Sequence, residues 1–192
     1  MATIARTGKL LTAEEFMALG DDGHAELVDG EVIMTSLAAG DHGEFSVLMS
    51  TRLVAWAYPR RLGRVFDGQT AFVLRRGADT VRSPDVAFVS TARLPAVRRG
   101  ALEVGPDLAV EVLSPSDRLR AVLRKLQDYF AAGTRLVWLV DLEAREIGVV
   151  TPERPMPHWL GTADALDGAD VLPGLTIPIG ELFGALDSPP AE

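Results

Sequence analysis

Cysteine is absent from the 192 residues, which excludes disulfides, thiolate nucleophiles and cysteine-ligated zinc. No apolar run reaches the ~20 residues that a membrane-spanning helix needs. The opening "MATIARTGKLLTAEEF" lacks the apolar centre of a secretory signal. The expectation is a cytoplasmic protein with no membrane attachment. Histidine is scarce, and His24, His42 and His158 do not have the i, i+4 spacing of a zinc-binding helix. Lysine is scarcer still: of 19 basic residues only Lys9 and Lys125 are lysine, and the others are arginine. A lysine kept against that background is a candidate for a role that arginine cannot fill. Gly8-Lys9 has Thr3 where a phosphate-binding loop needs its first glycine, and no serine stands in a G-x-S-x-G elbow. Trp56, Trp138 and Trp159 read as core or core-edge aromatics.

Hydrophobic residues make up 47% and charged residues 24% of the chain, ordinary values for a globular protein. The length suits one domain, 1–192. Within it, 1–40 reads as an N-terminal helix and hairpin, 41–150 as the core, and 151–192 as a C-terminal extension. The net charge of -8 argues against coating duplex nucleic acid by charge alone. Yet the charge is segregated: 1–51 carries -7, 52–125 carries +7 and 126–192 carries -8. The middle segment could present a basic surface, or its arginines could be scattered over a solvated face.

In "LTAEEFMALG" Thr12 and Glu15 form a capping box, so a short helix is expected, stopped by Gly20. "HAELVDGEVIMT" reads as a hairpin turning at Asp29-Gly30. A helix follows from Asp41 to about Tyr58, ended by Pro59, with Phe45, Leu48, Met49, Leu53 and Trp56 on one stripe. "GRVFDGQTAFVL" and "TVRSPDVAFVS" read as two strands in hairpin order. An arginine-rich loop with Arg93, Arg98 and Arg99 leads to a strand at 107–113. Ser114 or Ser116 then caps a helix whose stripe is Leu119, Val122, Leu123, Leu126 and Phe130. "RLVWLVDL" reads as an inner strand and "EIGVVTP" as its return. The order predicts an α/β (α+β) plan around a mixed sheet.

Glu111 stands between Val110 and Val112 in an otherwise apolar strand. An unpaired carboxylate there is strongly unfavourable, so it needs a cation or an exposed face. Asp107 shares the strand but lies roughly 13 Å away at ~3.3 Å per residue, too far to share an ion whose ligands sit ~2.1 Å from it. Asp85 lies on the preceding strand, and neighbouring strands run ~4.8 Å apart. If the register sets Asp85 beside Glu111, the two can hold one hard cation. Lys125 falls about 120° from the centre of its helix's stripe, beside Val122 and one turn before Tyr129, so its ammonium can reach the same place. Two carboxylates, a metal and a lysine suit phosphodiester hydrolysis. The alternative is a structural salt bridge with a lysine stem lying along apolar surface.

"ELVDGEVIM" (26–34), "SPDVAFV" (83–89), "PDLAVEVLSPS" (106–116), Lys125 with "DYFAAG" (128–133), "VWLVD" (137–141) and "LPGLTIPIGELF" (172–183) follow one another as in the Uma-two family. This is a restriction-endonuclease-labelled branch of the PD-(D/E)XK nuclease superfamily, which the chain resembles over most of its length. The resemblance implies a restriction-endonuclease-like αβββαβ core preceded by a helix and β-hairpin, and a Mg²⁺- or Mn²⁺-dependent endonuclease. It implies nucleic acid as substrate, DNA rather than RNA, and a homodimer that cuts two strands with two sites. Asp85 matches the motif aspartate and Glu111 the second acid, both as metal ligands. The motif lysine would fall at 113, where this chain has Leu113; Lys125 looks like that lysine moved onto the following helix. Glu26, Glu31 and His42 match recurrent family positions, which places Glu26 or His42 at the site's edge. Hairpin ion pairs for the glutamates and a helix-end hydrogen bond for His42 are the structural alternatives. A catalytically silent binding or assembly module on the same fold, and a hydrolase of small phosphoesters, are the rival functions.

Overall fold

The structure, a computed structural model, describes residues 3–4, 10–20, 25–34, 39–96, 99–115 and 117–187. His24, Arg98, Ser116, Thr3's side chain and Lys9 lie outside what it describes. The central sheet has six strands: β4 (Gly63–Asp67), β7 (Val86–Ser90), β8 (Leu108–Val112), β9 (Leu136–Asp141), β10 (Glu146–Val150) and β11 (His158–Leu160). Their order is β11-β10-β9-β8-β7-β4. β8 and β9 run parallel, joined by helix α3 (Leu119–Ala131), and every other pair in this sheet is antiparallel. With helix α2 (Gly40–Ala57) in front, the sequence α2-β4-β7-β8-α3-β9 reproduces the expected αβββαβ core.

β8 and the first five residues of β9 are buried throughout, and their apolar runs reflect cover on both faces. Leu108, Val110 and Val112, with Leu136, Trp138 and Val140, pack on one side with Phe45, Met49, Leu53 and Ala57 of α2. Helix α4 (Ile179–Asp187) adds Leu182 and Phe183 to that layer. Ala109, Val137 and Leu139 point to the other side, where α3 supplies Leu126 and Tyr129. Alternation along each strand thus divides the core into two layers.

A second sheet has the order β1-β3-β2-β6-β5. It comprises β1 (Thr3–Ile4), β2 (Ala25–Val28), β3 (Glu31–Met34), β5 (Phe72–Arg75) and β6 (Thr80–Arg82). The expected hairpin is present, with Asp29 (φ 54°) and Gly30 (φ 79°) making its turn. Helix α1 (Ala13–Ala18) carries the Thr12–Glu15 capping box.

Two local expectations need correction. The two long strands each break, at Gly68-Gln69 and at Ser83-Pro84-Asp85, and become β4 with β5 and β6 with β7. Half of each joins each sheet. Pro84 has no N–H to give a ladder, so the strand changes partner there. α3 starts at Leu119 with Arg118 as N-cap and no side-chain cap; Asp117 instead accepts from the Ser114 backbone N–H at 2.8 Å. Leu119 is 70% exposed, and the buried face of α3 runs through Leu126, Asp128 and Tyr129. The C-terminal extension adds a third, two-stranded sheet. β12 (Ala165–Asp167) and β13 (Thr176–Pro178) pair there, with Leu166 and Ile177 in the α2 layer.

Candidate functional site: a carboxylate pair and a buried lysine

The β7–β8 ladder pairs Val86 with Val110, Ala87 with Ala109 and Phe88 with Leu108. One step further along that register sets Asp85 opposite Glu111, and opposed residues of an antiparallel pair share a face. Asp85 is anchored at both oxygens. The Val112 backbone N–H donates to its Oδ2 at 2.7 Å, and His42 Nε2, in the first turn of α2, lies 2.8 Å from its Oδ1. Glu111 is buried, 7% exposed. Lys125 Nζ donates to its Oε2 at 2.7 Å and the Tyr129 hydroxyl to its Oε1 at 2.5 Å. Lys125 and Tyr129 are four apart on α3, so one helix face delivers both donors.

The second neighbour of Lys125 is Glu26 on β2, whose Oε1 lies 3.5 Å from Nζ. The structure therefore brings together Asp85, Glu111, Lys125, Glu26 and His42. Glu31 is not among them: it is exposed where β3 leaves the hairpin turn, paired across the ladder with Val28.

Burial pushes the Glu111 carboxyl above the usual carboxylate range, and the charges of Asp85 and Glu26 push the same way against Lys125. Burial works to discharge Lys125, but Glu111 and Glu26 outweigh it and hold its pKa above the ordinary lysine value. Glu26 stays below the usual range because Lys125 and Arg82 overcome its burial. The hydrogen bond to Asp85 raises His42 despite partial burial. Burial, then the charge of Glu111, keeps the Tyr129 phenol protonated well above its ordinary pKa.

Sequence reasoning missed the ion network under this cluster. Arg82 on β6, 4% exposed, donates from Nη1 to Glu26 Oε2 at 2.7 Å and from Nη2 to Asp128 Oδ2 at 2.6 Å. Arg124 reaches Asp128 Oδ1 at 3.4 Å and Asp29 Oδ2 at 2.5 Å. The network ties the N-terminal hairpin and β6 to α3. One helical member was within reach of the sequence: Asp128 follows Lys125 by three residues and so shares its face.

Asp107 belongs to a separate cluster at the other end of β8. Fully buried, it accepts from the Ser90 N–H (2.7 Å), Arg93 (3.1 Å) and Arg135 (3.0 Å). Much of the positive middle segment is spent in this way. Arg75 pairs with Asp29, and Arg76 with Glu14, Asp79 and Glu103. His158 opens β11, exposed.

Among the described residues, no three His, Cys, Asp or Glu side chains are grouped as a ready metal cage. The donor set at the β7–β8 end is the carboxylate pair of Asp85 and Glu111. That is the chemistry of a hard ion such as Mg²⁺, which keeps several waters and takes one or two protein carboxylates.

No curated protein matches the chain. A crystal structure of a putative nuclease from Anabaena variabilis superposes with a TM-score of 0.80 at 21% identity, over 92% of this chain and 99% of that one. At that identity the likeness is one of fold. The sequence pattern of Uma2, described as "Putative restriction endonuclease", matches residues 13–180, a span that holds every member of the carboxylate–lysine cluster. The chain belongs to the Uma2 family.

Proposed function

We propose that the chain is a divalent-metal-dependent nuclease that hydrolyses phosphodiester bonds, with Asp85 and Glu111 as ligands of Mg²⁺ or Mn²⁺ and Lys125 assisting. The observation that carries this reading is the convergence at the β7–β8 end. Asp85 is bonded to the residue after Glu111, and the Lys125 ammonium lies on Glu111 itself. A divalent ion bound there would polarise a phosphoryl oxygen and acidify a water. The protein's own groups do the positioning. Val112 N–H and His42 fix the Asp85 carboxylate, and Tyr129 fixes Glu111. Lys125, held between Glu111 and Glu26, orients a water or offsets negative charge that develops on the phosphoryl group. The reading extends to nucleic acid as substrate, DNA first, and to a homodimer presenting two sites. Among the described residues no helix is long and apolar enough to cross a membrane.

Cleavage of single- and double-stranded DNA in Mg²⁺ or Mn²⁺ tests the reading. Lys125→Ala and Asp85→Asn are expected to lose roughly 100-fold or more in rate. Wild-type and Lys125→Ala rates that are equal, or no cleavage under any metal, count against it. A second reading, a catalytically silent binding module, draws on the fact that both Glu111 oxygens already have partners. Calorimetry separates the two, because a silent module takes up no Mn²⁺ at millimolar concentration.

A further inference from the structure

Beside Asp85 opens a groove of about 400 Å³ between the outer face of α2 and the turn after β4. We infer that it receives one unpaired nucleobase of the strand whose phosphate lies at the carboxylate pair, an inference that rests on the nuclease reading. Its volume falls in the ~300–1,000 Å³ range of small-ligand sites. Asp85 is a wall of both groove and site, so an occupant of the groove adjoins the reacting phosphate.

The lining decides the class of occupant. Val47, Ser50, Thr51 and Val54 come from α2, and Asp67 and Asp85 from the sheet side; among the described residues no lysine or arginine lines it. A phosphate backbone needs cations, and two carboxylates repel it. The hydroxyl groups are largely turned away. Ser46 donates to the His42 carbonyl at 2.9 Å and Thr51 to the Val47 carbonyl at 2.8 Å, so both satisfy the helix rather than the groove. What they leave is mainly carbon, with Val47 65% exposed at the rim. Asp67 is held in place by Gln69 N–H (3.3 Å) and the Thr70 hydroxyl (3.1 Å) on Oδ1. An uncharged flat ring with amino hydrogens on its edge meets all three conditions: apolar walls, no cation, and the Asp67 carboxylate as acceptor at the margin. Carboxylates accept from the exocyclic amine of cytosine in the same sense. A base in a duplex has that edge occupied and must first leave the stack, so the groove favours single-stranded or frayed substrate.

Fluorescence anisotropy in Mg²⁺ tests this with a short labelled oligodeoxycytidine and an abasic chain of equal phosphate count. Wild type is expected to bind the oligodeoxycytidine about tenfold tighter. Ser50→Trp, which fills the groove, and Val47→Asn, which makes the exposed rim polar without adding charge, are expected to bring it down to the abasic affinity while the abasic affinity stays put. Thermal melts monitor folding; if Ser50→Trp does not fold, Val47→Asn carries the test. Equal binding of the two wild-type ligands, no measurable binding of either, or a base preference that survives both variants overturns the inference. Metal-dependent cleavage in the same samples is a separate readout. Cleavage without base preference removes the groove alone, and base preference without cleavage removes the catalytic reading alone.

Discussion

Replacing Arg82 by methionine keeps the stem and deletes the charge at the centre of the buried network. Arg82 is 5% exposed at its side chain, Glu26 6% and Asp128 8%, so all three ions have left most of their water. Without the guanidinium, Glu26 retains Lys125 at 3.5 Å and the Ser83 N–H at 3.5 Å, and Asp128 retains Arg124 at 3.4 Å. Every remaining contact is longer than the 2.7 and 2.6 Å bonds removed. Breaking a buried ion pair from one side costs about 3–5 kcal/mol. With these weaker partners in place, the lower end, about 3 kcal/mol, is expected at pH 7, a fall in Tm of about 6–12 °C. Urea unfolding at pH 7 measures the loss. Adding Glu26→Gln and Asp128→Asn to Arg82→Met should recover part of the loss. A variant within about 1 kcal/mol of wild type at pH 7, or added substitutions that only deepen the loss, would refute the reasoning.

Asp107→Asn removes a buried carboxylate; burial raises its pKa, but the Ser90 hydrogen bonds and Arg93 outweigh that and hold it below the usual value. Its contribution is present above the unfolded pKa of ~3.9 and lost as pH falls through the lower folded value, so the variant should be less stable at neutral pH and lose stability less steeply in acid, read by urea titrations at stepped pH. Gly63→Ala would put a Cβ 2.1 Å from the Val89 carbonyl and 2.7 Å from the Phe88 ring. The β4–β7 ladder must shift, and a loss of about 2–3 kcal/mol or more is expected by thermal melting. Tyr129→Phe leaves Glu111 Oε1 without its hydroxyl donor and should cost about 1–3 kcal/mol in the same assay; an unchanged melt would contradict the buried bond.

The site was legible in the sequence where it rested on local periodicity. Asp85 and Glu111 sit where strand spacing and an antiparallel register bring carboxylates together, and Lys125 is reachable from its helical phase. Asp29-Gly30 announced the hairpin through its need for positive φ. What failed depended on partners far along the chain. Alternation in "GRVFDGQTAFVL" is the same whether Phe72 joins the first sheet or the second, and only packing decides it. Arg82 reads as one more arginine in a strand; its burial follows from Glu26 and Asp128 meeting it from two other elements. Leu119 reads as core on a stripe of leucines, whereas the buried partners of Lys125 and Asp128 turn the helix toward that pair instead. Glu31 alternates with Val32 and Met34 as any hairpin residue would; it shares a face with Val28 and Glu26 but stands at the turn end of β3, where it is exposed.

A crystal grown with Mn²⁺ and measured at the manganese absorption edge puts the central claim to its most direct test. The account predicts an anomalous peak between Asp85 and Glu111, with carboxylate oxygens at about 2.1 Å and the Lys125 amine still on that face of the sheet. A protein saturated with Mn²⁺ that shows no peak at either carboxylate would contradict it.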